Sequence, residues 1–309
     1  MVCEALKIPL PVRSPFRLDL TVWALRRRQK NIIDQWNDNR YTRIIIFNNN
    51  PVKITVIQEG TSAEPKLSIT LQSKKEITPQ IQKEVQLLLQ KMLGLTIDLQ
   101  PFYALASAND ILKSLVEQFS GVKPPRFPDI FEGLINSIAC QLVTLDVGIL
   151  MLNRLSENFG LKFIDDDIAL HAFPRPEDLM EVSAENIKKL GFSYQKARAI
   201  KELATAIFNK KIELTSLEKM TSKEAVSYLC TIRGIGRWSA EYVLLRGLGR
   251  LDTFPGDDIG AQNNLKRIFN LDNKSDYEEI KKLTAQWHPY EGLVYFHLLL
   301  EKLHLKGVI

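Results

Sequence analysis

Two adjacent carboxylates, Asp257 and Asp258, are the residues of this sequence whose position is most suggestive of chemistry. They follow the turn-forming Phe-Pro-Gly of residues 254–256 and precede a segment with helical periodicity, IGAQNNLKRIF. Aspartate at the start of a helix caps backbone N–H groups, and the helix dipole favours an ionised carboxylate there. Such a carboxylate can stabilise positive charge that develops on a sugar ring, or orient a water molecule that attacks the ring.

Upstream of the aspartates, the segment IRGIGRW places Gly234 and Gly236 between two predicted helices. The first helix begins at Thr221, which has a capping-box spacing to Glu224, and the second begins near Arg237. A dinucleotide-binding loop needs a preceding strand and a third glycine, and a Walker loop needs Gly-Lys-Ser/Thr, so neither nucleotide motif fits. The N–H groups at the start of the second helix are instead suited to bind an anion.

Basic side chains surround this hairpin in the sequence, and they are suited to neutralise adjacent phosphates: Arg233, Arg237, Arg246 and Arg250. Contacts of this kind with a nucleic-acid backbone are independent of base sequence and sensitive to salt. The net charge of +5, with a pI near 8.9, permits a polyanionic partner without requiring one. An ordinary helix turn with solvated arginines remains the alternative at this point.

Composition excludes several other classes of protein. A 309-residue chain with 45% hydrophobic and 25% charged residues is typical of a globular protein with a substantial core. Its three cysteines, Cys3, Cys140 and Cys230, are too far apart for a disulfide framework, a cysteine-ligated zinc site or an iron–sulfur cluster. We find no signal-peptide pattern and no run of about 18 apolar residues, which predicts no membrane association and a reducing compartment.

The chain changes character along its length. Up to about residue 75 the pattern is strand-like, with RYTRIIIFNNNPVKITVIQ predicting two strands around an Asn-rich turn and PKLSITLQS a third. A helix capped by Thr78 follows, and from about residue 105 the pattern is helical to the end. The proline-rich segment 121–129 is the clearest linker, and the apolar segment 130–160 reads as a buried helix.

These motifs together resemble the helix-hairpin-helix DNA glycosylases, and in particular the 3-methyladenine DNA glycosylase II branch, which repairs alkylated bases. The similarity rests on LCTIRGIGRWSAEYVLLRGLGRLDTFPGDD, on PRFPDIFEGLINSIACQLVTLDVGILMLNRL, on LGFSYQKARAI and on QWHPYEGLVYFHLLL. It implies an α+β fold: a TATA-binding-protein-like sheet domain over residues 1–104, then an all-helical glycosylase region over 105–309. Within that region, 130–247 would form the hairpin-bearing domain, and 105–129 plus 248–309 the second helical domain.

The resemblance also implies roles for individual residues. Asp258 would be the catalytic aspartate, with Asp257 its structural neighbour. Three aromatic residues would line the pocket for the damaged base: Trp238, Tyr242 and Tyr290. DNA contacts would come from the hairpin and from an intercalating loop, through Gln141, Leu142, Gly234, Ile235, Gly236 and Arg237. The backbone carbonyls of Ile232 and Ile235 would hold a monovalent cation, and no other cofactor is expected.

Further expectations follow from the same resemblance. Strand-cleaving relatives carry a lysine where this chain has Trp238, so we expect hydrolysis of the glycosidic bond to leave an abasic site without lyase activity. The expected partner is double-stranded DNA with a damaged base that is flipped out of the helix, and the protein is expected to be a monomer. Its expected location is the cytoplasm with the nucleoid in a prokaryote, or the nucleus in a eukaryote.

Three alternatives remain open from the sequence. The pocket residues do not distinguish alkylated purines from oxidised or deaminated bases as the substrate. A non-catalytic helix-hairpin-helix DNA-binding protein would explain the hairpin, but it would not need Asp258. An enzyme with a nucleotide cofactor is disfavoured, because the glycines follow a helix and not a strand.

Overall fold

A five-stranded antiparallel sheet forms most of the N-terminal part of the computed structural model, which describes residues 4–271 and 276–309. Its strand order is β1-β5-β4-β3-β2, and a separate two-stranded hairpin lies further along the chain. The seven strands are β1 (Glu4–Leu10), β2 (Gln35–Asn37), β3 (Arg40–Phe47), β4 (Asn50–Gly60), β5 (Pro65–Ser73), β6 (Lys162–Asp165) and β7 (Ile168–His171).

The rest of the chain is mainly helical. The first helices are α1 (Leu18–Arg26), α2 (Pro79–Met92), α3 (Gln100–Ala106), α4 (Asp110–Gln118), α5 (Ile130–Cys140), α6 (Leu145–Phe159) and α7 (Pro176–Leu179). They are followed by α8 (Ala184–Lys188), α9 (Tyr194–Phe208), α10 (Ser222–Leu229), α11 (Arg237–Val243), α12 (Ile259–Phe269), α13 (Tyr277–Thr284) and α14 (Glu291–Leu305). Within the described ranges, no helix has the length and apolar character needed to cross a membrane.

The local signals at helix starts and turns are confirmed. Thr78 caps α2 by accepting the Ile81 N–H, and Thr221 forms a complete capping box with Glu224 at the start of α10. The turn between β3 and β4 contains Asn48 at a φ of 50° and its neighbour at a φ of 58°. Asparagine tolerates this left-handed conformation, which a two-residue hairpin turn requires.

Three expectations about secondary structure are wrong. The segment 130–160 is two helices, because Leu142 has a φ of 50° and Thr144 caps a new helix through the Val147 N–H. The C-terminal part is not all-helical, since β6 and β7 pair around Asp166 and Asp167, both with positive φ. The N-terminal part, which was expected to be strand-like, contains the helix α1. The pattern does not indicate a helix there because α1 is buried on two faces and therefore lacks the polar stripe of a surface helix.

Helix α1 connects two regions of the core. Leu18, Val22 and Leu25 pack with the sheet, α2 and the hairpin-bearing helices, whereas Leu20 and Ala24 pack with α3, α4 and the helices from α12 onward. Burial of α1 on both sides therefore places its C-terminal end between the two groups of helices. Three consecutive arginines, residues 26–28, occupy that end.

A buried ion network joins the sheet to α5. Arg43 of β3 donates to the Asp34 carboxylate at 2.7 Å and also to the carboxylate of Glu132. All three side chains are almost fully buried. Burial raises the pKa of Glu132 to about 7, while Arg43 opposes this shift. The network orients α5, which ends at the site described next.

Candidate active site

The turn between α10 and α11 is a tight hairpin tied to the end of α5. Gly234 has a φ of 83°, and a Cβ atom there would lie 2.8 Å from the Ala199 Cβ, so this position requires glycine. The Gln141 side-chain amide donates to the Gly234 carbonyl at 2.7 Å and to the Ser239 hydroxyl at 2.8 Å. The structure thus brings Gln141 to the hairpin.

The arginines around the hairpin are engaged within the protein. Arg233 pairs with Glu202 at 2.8 Å, and Arg250 donates to two backbone carbonyls. Arg246 is completely buried, so the expectation that it neutralises phosphates is wrong. Hydropathy patterning could not reveal this, because an arginine is almost always counted as a surface residue.

The two aspartates divide into different structural roles. Asp258 caps α12: its Oδ1 accepts the Ala261 N–H at 2.9 Å, and its Oδ2 accepts the Tyr295 hydroxyl at 2.9 Å. Asp257 forms a two-point ion pair with the Arg237 guanidinium, at 2.7 and 3.0 Å. Each carboxylate is held in one orientation, but by different partners.

A buried glutamate anchors the turn that carries both aspartates. Glu241 of α11 accepts the Gly256 N–H at 3.0 Å with one carboxylate oxygen and the Tyr277 hydroxyl at 2.6 Å with the other. A Cβ atom at Gly256 would lie 2.8 Å from the Tyr277 ring, so no side chain fits there. The loop is therefore fixed from α11 and α13 at once. Sequence reasoning did not identify Glu241 or Tyr277.

A cavity of about 1140 Å³ opens beside these aspartates. Eight of the predicted site residues line it: Gln141, Leu142, Gly236, Arg237, Trp238, Tyr242, Asp257 and Asp258. The Trp238 and Tyr242 rings lie one helical turn apart, with centroids separated by 5.4 Å and ring planes at 30°. The predicted pocket residues of α11 and the predicted catalytic carboxylate therefore share one cavity.

Tyr290 does not belong to this group. It precedes α14 and packs against Phe102, with ring centroids 5.9 Å apart, and it is not among the residues that line the cavity. Tyr295, five residues later, does line the cavity and bonds to Asp258. The placement of Tyr290 in a pocket wall is therefore wrong for this structure, because α14 turns its N-terminal aromatic away and presents the later one.

Leu142 projects from the protein between α5 and α6. Its side chain is fully exposed, and its backbone is left-handed with a φ of 50°. A leucine in this conformation is strained, and a large apolar side chain held out in water gains nothing from burial. The geometry is compatible with insertion into a partner, the role that was predicted for it.

Two buried arginines lie beside the Tyr242 ring, and neither is paired with a carboxylate among the described residues. Arg27 donates to the Tyr242 hydroxyl at 2.8 Å and to the Asn136 side chain at 2.5 Å. Arg246 donates to the carbonyls of Ala24 and Leu25. Burial disfavours the charge on Arg27, but the Tyr242 hydroxyl and a nearby thiol outweigh it and raise the pKa of Arg27.

Basic residues also line the solvent side of the cavity. These are Arg28, which pairs with exposed Asp146, and Lys302 and Lys306 at the end of α14. Burial, together with the neighbouring Lys306 and Arg28, lowers the pKa of Lys302. Such a rim suits a phosphate backbone. The sequence contains these residues far apart, so only the fold reveals that they are neighbours.

The hairpin carbonyls predicted to hold a cation lie outside this cavity. The Ile232 carbonyl accepts the Ile235 N–H at 3.0 Å, which leaves its second lone pair free. Within the described ranges, no group of three or more His, Cys, Asp and Glu side chains is arranged to hold a metal ion. The cation role of Ile232 and Ile235 stays a prediction.

Comparison with known proteins places this geometry in a family. Residues 135–289, half of the chain, match the family model described as "HhH-GPD superfamily base excision DNA repair protein". The chain belongs to this family. In this HhH-GPD protein, the matched segment contains the hairpin, Trp238, Tyr242 and the aspartate pair.

Curated relatives of this HhH-GPD protein carry alkylation-repair names. It is 35% identical over 179 residues to the alkylbase DNA glycosidase-like protein mag2 of Schizosaccharomyces pombe, an alignment that covers 57% of this chain and 80% of the relative. It is 29% identical over 201 residues to a DNA-3-methyladenine glycosylase of Bacillus subtilis, covering 65% and 66%. The recognised superfamily and its alkylation-repair branch are thereby confirmed.

A solved structure matches almost the whole fold of the HhH-GPD protein. The 3-methyladenine DNA-glycosylase from Archaeoglobus fulgidus superposes with a TM-score of 0.81, over 96% of this chain and 97% of that one, at 23% sequence identity. The match includes the N-terminal sheet as well as the helices. It confirms the mixed sheet-and-helix architecture.

Proposed function

We propose that this protein is a monofunctional DNA glycosylase of base excision repair that releases alkylated purines of the 3-methyladenine and 7-methylguanine type. The observation that carries the proposal is a single cavity that is lined both by Asp258 and by the aromatic residues Trp238 and Tyr242. The alkylation-repair names of its relatives support the substrate class.

The geometry suggests how each group acts. A base rotated out of the duplex stacks on the aromatic wall, while Leu142 fills the space that it leaves in the helix. The Asp258 carboxylate, held by the Ala261 N–H and the Tyr295 hydroxyl, faces the sugar and stabilises the positive charge that develops as the glycosidic bond breaks. A water molecule then adds to the anomeric carbon, and an abasic site remains.

The absence of a lyase step is part of the proposal. A strand-cleaving enzyme needs an amine to form a Schiff base with the sugar, and Trp238 has none. Lys302 and Lys306 also line the cavity, so their side chains are the amines to be tested. Treatment with borohydride in the presence of damaged DNA is expected to trap no covalent complex, and a trapped complex would contradict the monofunctional assignment.

The remaining fold, partner and cation assignments are proposals of the same kind. We propose that the five-stranded sheet is a TATA-binding-protein-like domain, that the domain limits are those predicted from the sequence, and that a monomer acts on damaged double-stranded DNA. A monovalent cation on the Ile232 and Ile235 carbonyls would bridge the hairpin to a phosphate. The exposed leucine and the basic rim support the DNA partner.

The decisive experiment compares Asp258→Asn with Asp257→Asn on duplex DNA containing 3-methyladenine. Asparagine keeps the shape at position 258 but removes the charge, so we expect base release to fall by at least about a hundredfold with DNA affinity retained. The matched change at Asp257 breaks an exposed ion pair with Arg237 and is expected to slow release by less than about fivefold. Equal effects of the two changes would refute the assignment of Asp258.

A further inference from the structure

The inner wall of the cavity carries a positive charge that the proposed mechanism does not use. Arg27 follows α1, is 5% exposed and lines the cavity. Its donors reach the Tyr242 hydroxyl and the Asn136 side-chain oxygen, both neutral groups. Arg246 lies behind the same wall and donates to backbone carbonyls. A buried guanidinium keeps its proton, so both charges are permanent.

Both guanidinium groups lie near the ring of Tyr242. Their central carbons are 5.9 Å from the ring centroid for Arg27 and 5.6 Å for Arg246. The ring is within the range at which an aromatic face attracts a cation, so its attraction is already shared by two charges. A third cation entering the cavity would be repelled by both, and repulsion is strong where little water screens it.

Arg27 also has donor capacity to spare. A guanidinium offers five N–H groups, and three of them point to Tyr242, Asn136 and, weakly at 3.9 Å, the Cys140 sulfur. The two remaining N–H groups, on Nε and Nη2, have no partner among the residues that the structure describes. The Nε atom is enclosed by protein, so the Nη2 N–H is the donor that is left for a bound base. A base that presents a ring carbonyl would supply an acceptor to this wall, whereas a base without one would not.

We propose that Arg27 is a specificity-determining residue that selects the base by charge and by carbonyl: it disfavours cationic bases and favours neutral purines with an exocyclic oxygen. This inference rests on the proposed glycosylase function and narrows its substrate class. The alkylated purines named above are cationic, so they are released in spite of Arg27 because they are good leaving groups. Deaminated purines become the class that the pocket binds best.

Four lesions separate the two properties. In DNA, 7-methylguanine is cationic with a ring carbonyl and 3-methyladenine is cationic without one. Hypoxanthine is neutral with a carbonyl and 1,N6-ethenoadenine is neutral without one. Single-turnover release by wild type and by Arg27→Gln is measured on matched duplexes, and each lesion is expressed as the ratio of variant to wild-type rate, so that intrinsic leaving-group differences cancel.

We expect the Arg27→Gln ratio to be higher for the cationic bases than for neutral bases of the same carbonyl class, by about tenfold. Within each charge class, the ratio is expected to be lower for the base with the carbonyl. Arg27→Lys keeps the charge but loses the planar donor set, so it should show only the carbonyl effect. Arg28→Gln, at the rim of the same cavity, is the matched control and should change all four ratios equally.

A measurement on the wild type alone keeps the charge proposal testable if the Arg27 variants do not fold. Duplexes with 2′-fluoro sugars resist cleavage, and 7-methylguanine and 7-methyl-7-deazaguanine then differ mainly in charge. The neutral base should bind more tightly. Tighter binding of the cationic base, or equal ratios for all four lesions in Arg27→Gln, would overturn the proposal. No release of any lesion by the wild type would instead refute the proposed function.

Discussion

Charged side chains are paired differently in the aspartate-bearing loop and beside Tyr242. On the aspartate side, every carboxylate has a donor: Asp257 has Arg237, Asp258 has Tyr295 and Ala261, and Glu241 has the Gly256 N–H. Beside Tyr242, the buried cations Arg27 and Arg246 contact, among the described residues, only neutral oxygens, a thiol and aromatic rings.

This difference in pairing corresponds to two different roles in the site. Paired carboxylates are held in fixed positions, which is what a group needs when it must face a sugar in a defined orientation. Unpaired buried cations cost free energy, because the desolvation of each guanidinium is only partly offset by hydrogen bonds. A fold that retains such cations beside a binding cavity keeps an electrostatic field available for whatever enters. The predictions below test one side of this comparison against the other.

The largest expected effect is a loss of stability at low pH, because a buried histidine, unlike a buried arginine, gives up its charge. His297 of α14 is equally buried, and burial lowers its pKa from 6.5 to about 4. The unfolded chain therefore takes up a proton first as the pH falls. Stability from this group is complete above about pH 6.5 and is lost progressively toward pH 4, by about 3 kcal/mol in total.

Urea unfolding at several pH values measures this loss. His297→Gln removes the ionisation and should flatten the decline between pH 6.5 and 4, whereas His304→Gln, at an exposed position, should leave it unchanged. An equally steep decline in all three proteins would show that His297 is not the group that titrates. In that case a buried histidine would tolerate charge as an arginine does.

The next prediction removes the anchor on the aspartate side. Glu241→Ala frees the Gly256 N–H and the Tyr277 hydroxyl, so the loop carrying Asp258 loses its fixed position. Base release should fall by about a hundredfold, the cost of displacing a catalytic group by about 1 Å. Tyr277→Phe keeps the bond to Gly256 and should have a much smaller effect. Base release by Glu241→Ala at the wild-type rate would mean that the loop is positioned without the Glu241 carboxylate.

A smaller effect is expected at the hydroxyl that touches Asp258. Tyr295→Phe removes one hydrogen bond to a charged acceptor, which should slow base release about tenfold without weakening DNA binding. Tyr290→Phe is the matched control, because Tyr290 packs against Phe102 away from the cavity. A larger decrease in base release for Tyr290→Phe than for Tyr295→Phe would place Tyr290 at the substrate.

The smallest effect is expected for the exposed pair. Arg237→Ala breaks the ion pair between Arg237, whose side chain is 47% exposed, and Asp257, whose side chain is 34% exposed. Because solvent screens the pair, the free energy of unfolding should change by less than about 1 kcal/mol. Comparison with Asp257→Ala and the double variant in urea unfolding gives the coupling energy directly. A coupling of several kcal/mol would remove the contrast between solvated pairs and buried unpaired cations.

Local signals predicted much of the molecule. The capping residues Thr78 and Thr221, the Asn turn between β3 and β4, and the glycine hairpin each depend on interactions within a few residues, which a sequence displays directly. The spacing from Trp238 to Asp258 carried the family resemblance, and the structure places both in one cavity. The same local reasoning failed for the segment 130–160, where apolar periodicity continues across a break.

The sequence by itself determined the hairpin, the capped start of α12 and the aromatic pair, since each follows from neighbours along the chain. Only the tertiary structure decided which charges meet at the cavity. Arg27 reaches Tyr242 across 215 residues, and Tyr295 replaces Tyr290 at the wall because of how α14 is turned. Periodicity reports whether a residue is buried, but not which distant side chain it touches. The charge of the pocket, and with it the substrate, depends on those distant contacts.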